Sequence, residues 1–152
     1  MMRAAWIVSA TIGAGACTAL LYPHDYIKLA ATPFTLQGGT NDIPFRVPHE
    51  ANRSLEALYV QISPRQTVAA DGTISIDGKR VVSLEVQALT TDGRAYSLPR
   101  SADAWIGDEY QGTYAMFWSN DLPRPITVTG VHIWASDETT VTSLLWLSST
   151  SK

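Results

Sequence analysis

Residues 101–114, SADAWIGDEYQGTY, combine aromatic and acidic side chains in a predicted loop bracketed by glycines. Aromatic rings stack on the apolar faces of sugars while carboxylates accept hydrogen bonds from hydroxyl groups, and the same rings can anchor a protein interface. These residue types predict a binding site formed by Trp105, Tyr110, Tyr114, Asp103, Asp108 and Glu109. The competing interpretation is structural: Trp105 closes the end of the domain and the acidic side chains are solvated.

The same acidic residues, such as Asp103 and Glu109, are also candidates for a catalytic carboxylate pair, because glycoside hydrolysis needs two carboxyl groups about 5–10 Å apart. The chain contains no G-x-S-x-G nucleophile motif, no S-x-x-K motif with its partners and no glycine-rich phosphate loop after a strand. We therefore predict a protein that is not an enzyme and keep a hydrolase as the alternative.

The sequence offers few ligands for a metal ion. His24, His49 and His132 lie far apart and form neither an HxH nor an HExxH pattern, and the acids of residues 101–114 lack the ordered spacing of a calcium loop. The single cysteine, Cys17, lies in the apolar N-terminus, so the rest of the chain has neither an internal disulfide nor a thiolate zinc site. We predict no metal and no other cofactor.

The charge of the chain is weakly acidic, with a formal net charge of -3 at pH 7 and scattered Lys and Arg residues. Nucleic-acid-binding proteins usually gather their basic residues on one face or along one strip. We therefore predict no nucleic-acid partner.

Residues 4–22, AAWIVSATIGAGACTALLY, contain no charged side chain. A helix of this length rises about 28 Å, which nearly matches a hydrocarbon core of about 30 Å. The positive-inside rule, applied to Arg3, places the N-terminus in the cytoplasm and the remaining chain on the extracytoplasmic side, periplasmic or extracellular. We predict an uncleaved signal anchor whose span includes Ala4, Trp6, Leu20, Leu21 and Tyr22.

Two alternatives to the anchor remain open. Residues 14–16 read Ala-Gly-Ala, a pattern for signal-peptide cleavage near Ala16 that would leave a secreted domain. Cleavage before Cys17 would expose a cysteine for lipidation, although Ala14 stands where bacterial lipoproteins usually carry Leu. The apolar residues 20–22 favour the anchor, because they complete a span and have no evident use at a new N-terminus.

The exported chain has the patterns of β-strands joined by tight turns. Three Asp-Gly pairs, at residues 71–72, 77–78 and 92–93, are typical of two-residue hairpin turns, which need positive φ angles. They predict a meander of strands at residues 67–70, 73–76, 79–90 and 94–98.

Further strands are predicted at residues 57–62, 113–119, 126–135 and 141–147. The segment 113–119, TYAMFWS, is apolar on both faces and predicts a central strand that is covered on both sides. In residues 126–135, ITVTGVHIWA, the apolar alternation slips at Gly130, which predicts a β-bulge. His132 and Trp134 alternate on one face of this strand and are interpreted as structural.

These patterns predict an all-β fold, namely an antiparallel two-sheet sandwich preceded by one N-terminal apolar helix. The more specific prediction is a sandwich of jelly-roll type, and a barrel is the alternative. The predicted organisation is an anchor or signal peptide at residues 1–22, a juxtamembrane linker at 23–40 and the sandwich at 41–152. Within the linker, residues 26–31 are interpreted as either a first strand or a loose connection. The predicted function is a non-catalytic, membrane-tethered module that binds other membrane or envelope proteins, as an accessory subunit of a membrane complex. The alternative is a carbohydrate-binding module that uses Trp105, Tyr110 and Tyr114.

Overall fold

The computed structural model describes residues 24–69, 71–106 and 112–150 of the chain, and these residues form β-structure without an α-helix. Within these ranges there are thirteen strands: β1 (His24–Lys28), β2 (Phe34–Leu36), β3 (Gly39–Ala51), β4 (Leu55–Gln61), β5 (Gln66–Val68), β6 (Thr73–Ile76), β7 (Lys79–Thr90), β8 (Ala95–Leu98), β9 (Arg100–Ile106), β10 (Gly112–Trp118), β11 (Ile126–Ala135), β12 (Thr139–Val141) and β13 (Ser143–Ser149).

The strands form two main antiparallel sheets. One sheet has five strands in the order β1-β13-β4-β10-β9, and the other has six, in the order β3-β11-β7-β6-β5 with β8 also paired to β7. Strands β2 and β12 form a separate pair. The predicted all-β, sandwich-like fold is therefore confirmed for the described residues.

The main core lies between these two sheets. Alternate side chains of β7 point into it, and they are the ones that the alternation of its sequence predicts: Val82, Leu84, Val86 and Ala88. The five-stranded sheet contributes Leu58, Val60, Phe117 and Trp146 to the same cluster. Removing this apolar surface from water stabilises the fold by about 25 cal/mol per Å².

The outer face of the five-stranded sheet carries a second apolar cluster. Its buried members are Ala57, Tyr59, Tyr114, Leu145 and Leu147. The ring centroid of Tyr59 lies 6.1 Å from that of Tyr26 and 6.1 Å from that of Tyr114. Burial, together with the nearby Tyr26, raises the pKa of Tyr59 to about 12. The prediction that β10 is apolar on both faces is confirmed.

The meander is also confirmed. Strands β5 to β8 pair in sequence order, and each predicted Asp-Gly pair lies between two of them. At the turn between β6 and β7, the φ angles of Asp77 and Gly78 are 52° and 77°, and a two-residue turn of this kind needs both to be positive. At the other two pairs only the glycine has a positive φ, 87° at Gly72 and 79° at Gly93, so the prediction of two-residue turns is wrong there.

The segment predicted as a linker, residues 23–40, requires a correction, because it contains β1 and β2. Strand β1 pairs along its length with β13, placing Ile27 opposite Trp146. Leu29 and Leu36 are buried in the main core. The apolar side chains of residues 24–36 thus belong to the folded domain.

The predicted membrane span, residues 4–22, lies outside the described residues, and so does Cys17. Within the described ranges, no helix has the length and apolar character needed to cross a membrane.

Candidate functional site

The residues of the predicted 101–114 site fall into three different settings. Strand β9 includes Asp103 and Trp105, and its backbone pairs with β10, placing Trp105 opposite Thr113. The predicted loop is therefore a strand up to residue 106, because pairing with β10 satisfies its backbone hydrogen-bonding groups. Asp108, Glu109 and Tyr110 lie outside the described residues.

Tyr114 has a structural position. Its side chain is 2 % exposed and belongs to the second apolar cluster beside Tyr59. Its hydroxyl donates a hydrogen bond to Ser143 Oγ at 2.8 Å. The ring is therefore not available at the surface to stack on a ligand.

A groove of about 540 Å³ is formed mainly by residues of the six-stranded sheet and reaches Arg100 at the start of β9. We call it the Trp134 groove and define it by Thr40, Glu85, Gln87, Ser97, His132 and Trp134. At one end it is lined by the Asp71-Gly72 turn, Pro99 and Arg100, and core residues such as Phe117 contribute apolar lining. The groove thus combines an apolar lining with a polar sheet face.

The pairing register of the strands places the side chains of the groove in two rows that run across neighbouring strands. Trp134 on β11 lies opposite Thr40 on β3 and Glu85 on β7. Two residues along, His132 lies opposite Asp42 and Gln87 on the same two strands. Ser97 on β8 extends the second row beyond Gln87. Adjacent strands are about 4.8 Å apart and residues i and i+2 about 7 Å, so the two rows form one compact surface.

The bulge at Gly130 decides which residues of β11 face this surface. Val128 is buried before the bulge, whereas Val131 and Ile133 are buried after it, and the register with both β3 and β7 shifts between Val128 and Gly130. The predicted bulge is confirmed. Because the alternation changes there, His132 and Trp134 point away from the core.

Among the side chains whose exposure the structure describes, Trp134 is one of two large apolar ones that are exposed, and 40 % of its surface is accessible. Beside it, the Asp42 carboxylate contacts His132 Nδ1. The sequence contained the signal for this site, the alternation of His132 and Trp134 after the slip at Gly130. It did not reveal that β3 and β7 surround them with polar side chains.

A second group of polar side chains is buried around Glu56, which is fully inaccessible to solvent. One carboxylate oxygen, Oε1, accepts hydrogen bonds from Ser148 Oγ at 2.9 Å and from the backbone N–H groups of Asn52 and Arg53. The other, Oε2, contacts His49 Nε2 at 3.1 Å and accepts a hydrogen bond from Trp146 Nε1.

These contacts determine both the charge state and the role of Glu56. Burial alone would raise its pKa, but the hydrogen bonds from His49, Trp146, Ser148 and the Arg53 backbone outweigh that effect and hold the pKa below its usual value. A carboxylate has about four lone-pair sites, and here five donors occupy them. Glu56 therefore joins β3, β4 and β13 and has no free position for a substrate.

Metal ligands do not converge in the part of the chain that the structure describes: no group of three or more His, Cys, Asp or Glu side chains there is arranged to hold an ion.

Fold and groove together define an antiparallel, sandwich-like β-domain with a ligand-sized groove on one of its sheets. Comparisons with protein-family models, curated proteins and solved structures find no match to this chain. The groove offers an indole ring for stacking, and carboxylate, amide, hydroxyl and imidazole groups for hydrogen bonding.

Proposed function

We propose that the chain is a non-catalytic, extracytoplasmic binding module, tethered to a membrane by its N-terminal apolar helix, that holds an envelope component in the Trp134 groove. The observation that carries this proposal is the exposed Trp134 within a groove of about 540 Å³, surrounded by hydrogen-bonding side chains. Ligand sites usually have volumes of about 300–1,000 Å³ and combine apolar surface with a few polar groups.

A jelly-roll form of the sandwich is part of the proposal. It is supported by the strand orders β1-β13-β4-β10 in one sheet and β3-β11-β7-β8 in the other, in which the chain passes repeatedly between sheets. This form brings strands from both ends of the chain together, as in the pairing of β1 with β13. Because jelly rolls serve many functions, the functional argument depends on the groove.

The membrane tether is supported by the uncharged residues 4–22. We expect the full chain to stay in membranes after a high-salt wash, and intact mass spectrometry to find residues 1–22 retained. Recovery of a soluble monomer that lacks residues 1–16 would contradict the tether and favour cleavage near Ala16.

The groove is tested with two matched variants of the tagged full chain, purified from salt-washed native membranes. Trp134→Ala removes the exposed ring inside the groove. Val47→Ala removes apolar surface outside it, from a side chain that is 75 % exposed and does not line the groove. We expect the component that co-purifies with the wild type to be lost from Trp134→Ala and kept by Val47→Ala. Equal retention by both variants would contradict the groove as the binding site.

A second candidate function is assembly with another envelope protein, as an accessory subunit, through strand β3. Within the described residues β3 forms one edge of the six-stranded sheet, and it exposes Val47 in the segment where its register with β11 shifts. Edge strands offer free backbone hydrogen-bonding groups to a partner strand. Loss of the co-purifying component from Val47→Ala alone would favour this candidate.

Two functions depend on residues 101–114, a hydrolase and a carbohydrate-binding module, and both stay predictions. Glu109 lies outside the described residues, so the separation between it and Asp103 that a hydrolase would require is untested. The same holds for a sugar site at Trp105 and Tyr110.

A further inference from the structure

We infer that the ligand of the Trp134 groove is a neutral oligosaccharide, with one sugar ring stacked on the Trp134 indole and its hydroxyl groups bound by the neighbouring polar side chains. This inference rests on the proposed function, because it names the ligand class of the same groove.

The first step concerns Trp134 itself. An exposed indole presents a broad apolar face and a single N–H donor, and so suits a ligand with one apolar face and polar edges. A pyranose ring has this character, since its C–H groups gather on its faces and its hydroxyl groups point outward. Thr40 and Glu85, the two cross-strand neighbours of Trp134, are placed to meet those hydroxyl groups.

The second step concerns the hydrogen-bonding groups. A sugar hydroxyl both donates and accepts, and the groove offers acceptors on Glu85, both kinds of group on Gln87, and hydroxyls on Thr40 and Ser97. An apolar ligand would cover these groups without giving them partners, which costs binding energy. The mixture therefore fits a polyhydroxylated ligand.

A protein partner fits the groove less well. Protein interfaces commonly bury about 800 Å² on each side and have a central group of large apolar side chains. Among the side chains whose exposure the structure describes, the other exposed large apolar one is Val47, and it does not line the groove. Trp134 thus stands alone among polar neighbours, as expected for stacking on one ring.

The third step concerns charge. Glu85 and Asp71 line the groove, and Asp42 lies beside it in contact with His132. The basic side chains that line the groove are Arg100 and His132, and Arg80 interacts electrostatically with Asp71. The carboxylates of Asp42, Asp71 and Glu85 outnumber the guanidinium groups of Arg80 and Arg100, which disfavours uronate, sulfate and phosphate groups and favours an uncharged saccharide.

The fourth step concerns length. On the side of β7 away from Trp134, the groove is also lined by Ser97 of β8, the Asp71-Gly72 turn and Pro99. A single ring over Trp134 leaves that end empty. We therefore expect affinity to rise from a monosaccharide to a tetrasaccharide.

The experiment is isothermal titration calorimetry on the full chain in a detergent without a sugar head group. The neutral probes are tetramers of β-1,4-linked glucose, β-1,4-linked N-acetylglucosamine and α-1,4-linked mannose, and the anionic probe is a tetragalacturonate. We expect at least one neutral tetramer to bind at least about tenfold more tightly than the anionic tetramer, and Trp134→Ala to weaken it at least about tenfold.

Three further variants make the result specific. Trp134→Phe keeps an aromatic face and should retain more affinity than Trp134→Ala, whereas Gln87→Ala should weaken binding severalfold without removing the ring. Val47→Ala should bind like the wild type. Circular dichroism checks that each variant is folded.

Each contrary outcome has a distinct meaning. Neutral binding that survives Trp134→Ala, or preference for the anionic tetramer, overturns the inference. If no neutral tetramer binds while Trp134→Ala still loses the co-purifying component, the ligand is not a saccharide but the groove stays the binding site. If Trp134→Ala changes neither glycan binding nor co-purification, the inference and the proposed function are both wrong.

Discussion

At the scale of single residues, Glu56 has the strongest constraints in the described chain. Its carboxylate lies in the main core beside Trp146 and receives hydrogen bonds from side chains of two other strands, β3 and β13, and from the backbone of the turn before β4. A buried carboxylate is tolerated when its hydrogen-bonding capacity is filled, and here it is filled entirely by protein groups.

Glu56→Gln is expected to destabilise the domain by about 2–4 kcal/mol. The glutamine NH₂ group would replace one carboxylate oxygen and face a hydrogen-bond donor, which leaves His49 or Trp146 without an acceptor. Urea unfolding at pH 7 measures this change. Glu50→Gln is the control, since Glu50 lies on β3 but is exposed, and it should change stability by less than about 0.5 kcal/mol.

The same comparison has a pH dependence. Because the folded pKa of Glu56 is lowered, its contribution is complete above the pKa of an unfolded glutamate, about 4.3, and is lost as the pH falls through the lower folded value. Wild-type stability should therefore fall more steeply below about pH 4.3 than that of Glu56→Gln. If the free energy of unfolding fell equally steeply with pH in the wild type and in Glu56→Gln, the contacts would not stabilise the carboxylate.

At the scale of elements, the bulge in β11 connects a local backbone feature to the proposed site. The backbones of β11 and β3 come close together at Gly130: a Cβ atom there would be 2.8 Å from the Ile43 carbonyl oxygen and 3.2 Å from Pro44 Cα. Glycine thus allows the close contact at which the alternation changes. His132 and Trp134 reach the outer face as a result.

Gly130→Ala is expected to destabilise the domain by about 1–3 kcal/mol, because the added methyl group pushes against the backbone of β3. Gly38→Ala is the matched control, since its nearest neighbours would be 4.0 Å away. Thermal unfolding compares the two variants. A stable Gly130→Ala domain would mean that β3 can move away without loss of pairing.

At the scale of the whole molecule, the two ends of the described chain are held together. Strand β1 completes the five-stranded sheet against β13, and Leu29 and Leu36 fill the main core behind it. Residues 24–36 therefore contribute to cohesion of the domain, although their position after a predicted membrane span suggested a linker.

Two truncated chains test this contribution. A chain that starts at residue 23 is expected to unfold cooperatively, whereas one that starts at residue 41 lacks β1, Leu29 and Leu36 and should lose its cooperative transition. Circular dichroism melting curves measure the difference, which is expected because a typical domain is stable by only about 5–15 kcal/mol. Equal melting temperatures would show that residues 23–40 form a separable linker.

Local chemistry alone determined much of the strand pattern. The Asp-Gly pairs mark hairpins because glycine adopts the positive φ angles that each turn needs, at residues 72, 78 and 93. The alternation of β7 and the slip at Gly130 are visible along one strand. The outer apolar cluster was partly visible in the sequence too. In β10, Tyr114 and Met116 lie on one face and Ala115 and Phe117 on the other, so that the strand is apolar on both faces.

Only the tertiary structure decided which distant segments meet. Thr40, Glu85 and Trp134 lie on three strands that are far apart in sequence, and nothing in any one of them specifies the register that makes a groove. The partners of Glu56 are likewise residues that precede it on β3 and residues of β13 near the end of the chain. The physical reason is that turns and alternation arise from short-range geometry, whereas strand order and side-chain partners depend on the packing of the complete core.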